Sequence, residues 1–418
     1  MHFELISKYD VLYQKNRIGY FELNKKYKVL DLFCGAGGLS LGLSMTGRFK
    51  TVAAVDFWKP ACDTFQYNHP EIKPELIFNA DINQLIVSGE LEDICKKNGP
   101  FDLVVGGPPC QGLSLAGKRI QDDPRNQLFK SFVKAVEIAR PKAFIMENVP
   151  GLLSMQSGLI NKAVLEAFKE IGYNHFENHQ PAILKAEKYG VPQIRRRLFY
   201  IGFDKNIDLD QDFTWPPEPT HSDEKKVTNI QQQDLFGSQI TIPHAVTVED
   251  AISDLPSIKS GEGSDVVEYS LLKPVSSLFQ SLMRDWSMCS RNFERPMLFN
   301  HEASKHTPPL IKLIEVARPG ASVDPKYTDS RKWDPKSPGY TVKALGAGGG
   351  STNRRAFHYD PHTPRGSTIR ENARIQSFPD WYRFIGPKTH QMTQVGNAVP
   401  PLLAKAIGLT LSKFLDKQ

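Results

Sequence analysis

Val104-Val105-Gly106-Gly107-Pro108-Pro109-Cys110-Gln111-Gly112-Leu113-Ser114 begins as an apolar run and stops abruptly. The leading valines favour a buried strand. Two glycines then let the backbone approach a neighbour closely, and two prolines stiffen the turn. Cys110 stands at the tip of that elbow, and two readings are open for it. A free cysteine is most often a small buried hydrophobe. A cysteine presented on a stiff elbow after a parallel strand is a nucleophile.

Outward from this elbow, short apolar runs alternate with amphipathic stretches from Lys28 to Leu184. Val29–Phe33, Thr51–Val55, Leu76–Phe78, Asp102–Val105 and Ala143–Met146 read as strands. Helical periodicity appears at 38–46, 59–68, 126–139 and 159–171, most clearly in Phe129, Phe132, Val133, Val136 and Ala139. This alternation specifies an α/β fold, a parallel sheet with helices on both faces. Such sheets bind ligands beyond the carboxyl ends of their strands.

Residues 1–26 form an N-terminal extension, and 27–203 the first part of the main domain. After Phe203 the chain turns rich in Pro, Ser, Gln and Asp, and 204–340 reads as a second, irregular domain. Within it Gln231–Asp234 reads as a solvated loop and Val246–Ile252 as a short capped helix. Residues 341–418 close this region and return to the main domain, ending in an amphipathic helix, Pro400–Phe414, after a Pro-Pro stop.

The chain has 418 residues, 40% hydrophobic and 23% charged, as in a water-soluble globular protein. No run approaches the ~20 apolar residues that span a bilayer. Met1-His2-Phe3-Glu4-Leu5 has no basic region leading into an apolar one, so a cytoplasmic protein with no membrane association is expected. Five scattered cysteines, none at metal-ligand spacing, argue for a reducing compartment, no disulfide framework and no metal. A net charge of +6 permits a polyanionic partner without requiring one.

Asp31-Leu32-Phe33-Cys34-Gly35-Ala36-Gly37-Gly38-Leu39 ends a strand in a glycine-rich turn and opens a helix. A helix N-terminus offers free N–H groups, and the glycines admit a ligand to the backbone. Dinucleotide binders share such turns, but the G-x-G-x-x-G form is absent. Asp56 follows the second strand, where a carboxylate accepts ribose hydroxyls or caps the next helix. Asp81-Ile82 follows the third strand in the same way. Two acids beside a glycine turn suit a nucleoside with a positive tail, such as S-adenosylmethionine.

Glu147, at the end of a buried strand, is either a helix cap or a site acid. In Gln193-Ile194-Arg195-Arg196-Arg197 strand alternation sets Arg195 and Arg197 on one face and Arg196 on the other. These arginines are surface charge or, on the cleft side, groups that demand an anionic or carbonyl partner.

Six separated motifs now stand in order: Asp31–Gly38, Pro108–Ser114, Glu147–Val149, Gln193–Arg197, Arg370–Asp380 and Gln394–Pro401. In this the chain resembles the DNA (cytosine-5)-methyltransferases of bacterial restriction–modification systems, from Lys28 to the end except the middle of 204–340. The resemblance implies a Rossmann-like S-adenosylmethionine-dependent methyltransferase sheet plus a smaller irregular target recognition domain at 204–340. It implies that Cys110 is the nucleophile, that Glu147 holds the ring nitrogen and amino group of the target cytosine, and that Arg197 holds its carbonyl oxygen. Arg195 would support the pocket or a phosphate. Phe33, Gly35, Gly38, Asp56, Phe57, Asp81, Ile82, Gly107, Leu128, Asn397 and Val399 would line the S-adenosylmethionine site. Double-stranded DNA is the implied partner of a monomer, and a cognate restriction endonuclease would act on the same site without direct contact.

The base has to leave the duplex to react. The polar stretch Gln111–Arg125, with Gln111, Ser114, Lys118 and Arg119, is expected to close over DNA; the alternative is an ordinary loop. Arg354 and Arg355, after the glycines of 346–350, suit phosphates, with a plain surface loop as the alternative. A tRNA cytosine-5 methyltransferase is the nearest rival, but the Cys-Phe-Thr triplet typical of that group is missing and the insert is long. A DNA-binding regulator without activity would lack Cys110 or Glu147, and both are present. A nicotinamide oxidoreductase would need a pyrophosphate turn.

Overall fold

In a computed structural model of the chain, residues 26–109, 128–174, 181–207, 213–223, 231–233, 239–324, 330–344 and 356–417 are described. The sheet comprises β1 (Tyr27–Leu32), β2 (Phe49–Asp56), β3 (Ile77–Asn79), β4 (Leu103–Gly106), β5 (Ala143–Asn148), β6 (Tyr173–Asn174), β7 (Ala182–Lys185) and β8 (Arg196–Asp204). Its order is β3-β2-β1-β4-β5-β8-β6, with β7 paired on β8. Strands β1 to β5 pair in parallel. The rest departs from the parallel expectation: β8 runs antiparallel to β5, β6 and β7. For β7 and β8 the physical reason is the connection 186–195, which is too short for the crossover that a parallel pair requires.

Both faces of the sheet are buried, and successive residues divide between them as a pleat dictates. Val29, Leu103, Val105, Ala143, Ile145, Phe199, Ile201 and Phe203 join one apolar cluster, and Leu30, Leu32, Val104, Phe144, Met146, Leu198 and Tyr200 the other. The first face is covered by α1 (Gly38–Ser44) and by a C-terminal helix described below. Helix α2 (Lys59–Asn68) packs Phe65 against Cys34 and Ala54. The second face carries α3 (Ile82–Ser88), α4 (Glu90–Asn98), α5 (Leu128–Ala139) and α6 (Leu159–Glu170).

The described part of 204–340 holds two antiparallel pairs, β9 (Gln231–Gln233) with β10 (Gln239–Thr241) and β11 (Gly263–Glu268) with β12 (Met297–Glu302). The solvated loop expected at Gln231–Asp234 is thus in part a strand, formed by backbone pairing that side-chain polarity does not reveal. Helices α7 (Val248–Ile252), α8 (Leu278–Met283) and α9 (Pro308–Val316) also lie here, and β13 (Arg331–Lys332) pairs with β14 (Ala356–Phe357). The capped helix expected near 246–252 is α7, closed by a reciprocal Thr247–Asp250 capping box. Trp215, Val248, Ile252, Phe279, Met283, Leu298 and Trp333 pack into the first sheet face's cluster, so most of this region's apolar burial is shared with the sheet.

Three helices complete the chain: α10 (Ile369–Ile375), α11 (Lys388–Asn397) and α12 (Pro401–Leu415). Every residue of α10 is buried. Its Arg374 pairs with Asp254 and Asp380, and Arg370 donates to the Phe299 and Pro379 carbonyls. These bonds tie the insert to the returning helices. Helix α12 lies against α1.

Candidate active site

Chain order reverses between the neighbouring strands β1 and β4, since β1 continues through β2 and β3 on one side while β4 leads to β5 on the other. Ligands of open α/β sheets bind outside the carboxyl ends at such a reversal. The glycine turn leaves β1 at Leu32, and the elbow leaves β4 at Gly106. Glu147 stands near the end of β5, the next strand over. The topology therefore brings the three motifs to one edge.

On the donor side the turn takes left-handed conformations at Phe33 (φ 54°), Gly35 (φ 53°) and Gly37 (φ 87°). Gly35 N–H donates to Asp56 Oδ2 at 2.8 Å, and Trp58 N–H to Asp56 Oδ1 at 2.8 Å. Gly38 has no room for a side chain, because a Cβ there would collide with the Val399 carbonyl. Phe57 is 72% exposed beside Asp56 and offers a bare aromatic face. Asp81 is exposed and caps α3 through Oδ1, accepting from Asn83 N–H at 2.9 Å. The helix-capping alternative raised for Asp56 does not hold: α2 has Trp58 at its N-cap and no side-chain cap bond. Ile82 turns its side chain into the core, so only its backbone can meet a ligand. Leu128 opens α5 half-buried, Asn397 is exposed at the end of α11, and Val399 is buried.

Asp31, quoted above within the glycine-turn motif but not singled out, is a further candidate for this site. It is fully buried, its Oδ2 accepts from Ser40 Oγ at 2.5 Å, and its Oδ1 has no partner. Burial pushes its carboxyl up to about 7, with Asp56 adding repulsion. Burial also raises Asp56. Among the described residues no Lys, Arg or His pairs with either acid. Two uncompensated carboxylates, an orphaned oxygen and an open aromatic face fit a cationic nucleoside and do not fit a pyrophosphate. An acid inside the apolar run Val29-Leu30-Asp31-Leu32-Phe33 was the available sequence clue.

On the base side Arg197 Nε lies 2.9 Å from Glu147 Oε1. Glu147 Oε2 faces the elbow: a Cβ on Gly107 would lie 2.9 Å from it, so any side chain there would push the carboxyl aside. Burial raises the Glu147 carboxyl, and the Arg197 and Arg195 guanidiniums oppose that shift. Asn148 Nδ2 donates to the Pro108 carbonyl at 3.1 Å, which pins the elbow to β5. The expected facing of the arginines holds, with Arg196 exposed and Arg195 and Arg197 turned inward. Arg195, however, is fully buried and spends its guanidinium on the carbonyls of Val342, Gly396 and Ala398. That leaves it the supporting role and gives a phosphate no access to it.

Cys110, Gln111, Ser114, Lys118, Arg119, Arg354 and Arg355 lie outside the described residues. No cluster of metal-ligating side chains occurs among the described residues. A cavity of about 340 Å³ lies elsewhere, between β11–β12 and the start of α11, and its charges are paired as Asp265–Arg383 and Glu302–Lys388.

The chain is 34% identical to the Type II methyltransferase M.DdeI of Desulfomicrobium norvegicum, over 93% of this chain and 89% of that protein. It is 32% identical to the Type II methyltransferase M1.HphI of Haemophilus parahaemolyticus, over 92% and 86% respectively. Among solved structures it is similar to one described as a DNA modification methyltransferase encoded within an Escherichia coli prophage. That likeness has a TM-score of 0.71 and 29% identity, covering 94% of this chain and 100% of the other. Spodoptera frugiperda DNMT2, at 19% identity and a TM-score of 0.54, shares the fold. The sequence profile of C-5 cytosine-specific DNA methylases matches residues 27–413. That match runs from the first residue of β1 into α12 and takes in the donor turn, the elbow and the acid–arginine pair in one frame, so the chain belongs to the C-5 cytosine-specific DNA methylase family and is a DNA (cytosine-5)-methyltransferase.

Proposed function

We propose that this enzyme methylates carbon 5 of one cytosine in a short duplex sequence, as the modification half of a restriction–modification system. It acts as a monomer in the cytoplasm, and Cys110 is its nucleophile. The observation that carries this reading is the Glu147–Arg197 pair at the mouth of the elbow, with one carboxyl oxygen anchored and the other turned toward Gly107.

The target base is flipped out at a cost of a few kcal/mol. Glu147 in its protonated form donates to the ring nitrogen, and its raised pKa supports that state. Arg197 holds the base carbonyl. The Cys110 thiolate adds to carbon 6, which makes carbon 5 nucleophilic. S-adenosylmethionine, held by the Gly35 turn, Asp56 and Phe57, supplies the methyl group as a sulfonium. Transfer breaks the sulfonium–methyl bond and leaves S-adenosylhomocysteine; the carbon-5 proton then passes to a water molecule, and its electron pair expels Cys110 as a thiolate by breaking the carbon–sulfur bond. Residues 204–340 read the sequence, and Gln111, Ser114, Lys118, Arg119, Arg354 and Arg355 contact the DNA. Restriction–modification relatives such as M.DdeI support the biological setting.

The test is methylation of plasmid DNA with labelled S-adenosylmethionine, followed by mapping of the modified bases. Label on carbon 5 of cytosine in a single short motif is expected. Cys110→Ala should abolish transfer while duplex binding persists. Unchanged turnover in that variant removes the nucleophile assignment.

A further inference from the structure

Helix α11 ends in an unusual position for its backbone. A helix leaves its last carbonyls without intrahelical donors. Here the donors that would serve Gly396 and Asn397 fall at Pro400 and Pro401, which have no N–H. Side chains from two other elements cap the end instead. Gln376 Nε2 donates to the Val395 carbonyl at 2.7 Å and the Ala398 carbonyl at 3.0 Å. Arg195 Nη2 donates to the Gly396 carbonyl at 2.9 Å and the same Ala398 carbonyl at 3.0 Å.

These caps form one relay. Gln376 Oε1 accepts from Gln193 Nε2 at 2.6 Å, and Gln193 Nε2 also reaches the Ile375 carbonyl at 3.1 Å. Gln193 Oε1 accepts from Val342 N–H at 3.1 Å, and Arg195 Nη1 donates to the Val342 carbonyl at 3.1 Å. Gln193, Arg195 and Gln376 are all fully buried. Both ends of each amide are used, so the orientation of each is fixed by its partners.

The relay has two outlets. Toward the donor, it holds the segment carrying the exposed Asn397 and the Val399 carbonyl that abuts Gly38. Toward the base, Arg195 is two residues along the chain from Arg197, which grips Glu147. Burial disfavours the Arg195 charge and Arg197 repels it, with partial compensation from Glu147. A displacement of the α11 terminus would therefore leave the buried Arg195 guanidinium and the buried Gln376 amide short of acceptors, a heavy cost in low dielectric.

We propose that Gln376, with Gln193 and Arg195, is a positioning residue that couples the methyl-donor site to the base pocket, so that filling one site tightens the other. The proposal rests on the functional reading above. Linkage makes any such coupling reciprocal in binding free energy.

The test uses the full chain and a duplex containing its mapped methylation motif. Activity of the unsubstituted enzyme on that duplex is established first, and its absence would count against the functional reading, not the coupling. Affinity for S-adenosylhomocysteine is then measured by calorimetry with and without saturating duplex. The unsubstituted protein should bind roughly tenfold or more tightly with DNA present. Gln376→Met, similar in volume but without hydrogen bonds, should bring that ratio toward one. Val164→Ala, a buried truncation in α6 outside the relay, serves as the stability control and should keep the ratio. If Gln376→Met does not fold, Gln193→Met takes its place, since it removes the anchor of the Gln376 carbonyl oxygen. A ratio near one in the unsubstituted active enzyme, an undiminished ratio in the glutamine variants, or an equal loss in Val164→Ala overturns the proposal.

Discussion

Asp31 is fully buried and Glu147 half-buried, and the two acids differ in what faces them. Glu147 has Arg197 at 2.9 Å, which offsets part of its burial. Among the described residues Asp31 has a single hydroxyl and no cation, and its carboxyl is pushed up to about 7 from 3.8. Folded Asp31 therefore holds its proton more tightly than the unfolded chain does. Its contribution to stability is fully present below the unfolded value of 3.8 and is lost as pH rises toward about 7. The slope is roughly 1.4 kcal/mol per pH unit at most. Asp31→Asn removes this titration. The melting temperature of the unsubstituted enzyme, measured relative to that variant without ligand, should fall steadily between about pH 4 and pH 7. A constant difference across that range would mean that the carboxyl ionises alike folded and unfolded. At this scale the sequence made the facing of Arg195, Arg196 and Arg197 readable through strand alternation, and residue type alone marked Glu147 and Asp56 as candidates. It was silent on the roles of Gln193 and Gln376, because a polar amide looks solvent-facing until its buried partners are known.

The helices that hold these residues owe their positions to close backbone approach. The start of α1 rests on the Val399 carbonyl through Gly38, and the relay caps α11 just before that point. Gly38→Ala should force α1 and the 397–399 segment apart. Such overpacking costs ~1–3 kcal/mol. Calorimetry with S-adenosylhomocysteine should then register a loss of roughly tenfold or more in affinity, together with a lower melting temperature. Unaltered affinity would show that the two elements need not touch for donor binding. Elements of the first half were legible because period-2 runs and 3.6-residue periodicity alternate cleanly there, and α2 falls at 59–68 as read. The direction of β8 was not legible. An apolar run buried on both faces looks the same whichever way its neighbour runs, and the short 186–195 connection fixes its direction against β7 alone.

Over the molecule as a whole, burial joins what composition divides. The region 204–340 reads as separate because it is rich in polar and turn-forming residues. Yet Trp215, Ile252, Phe279, Met283 and Trp333 sit in one cluster with α10, α12 and the sheet, and Arg374 bridges Asp254 of the insert to Asp380. A polar surface composition carries no information about a few large apolar residues that cross to another core, so this sharing could not be read from the chain alone. Removing one partner of a buried ion pair is worth about 3–5 kcal/mol, which is a sizeable part of the stability of any one segment. The insert and the sheet should therefore melt together. Scanning calorimetry on the intact chain should give one main transition. S-adenosylhomocysteine at 100 times its Kd should raise the whole of it, by an amount equivalent to about 2.7 kcal/mol. Two resolved transitions, only one of them moved by ligand, would mean that recognition and methyl transfer reside in independently stable units joined only by the chain.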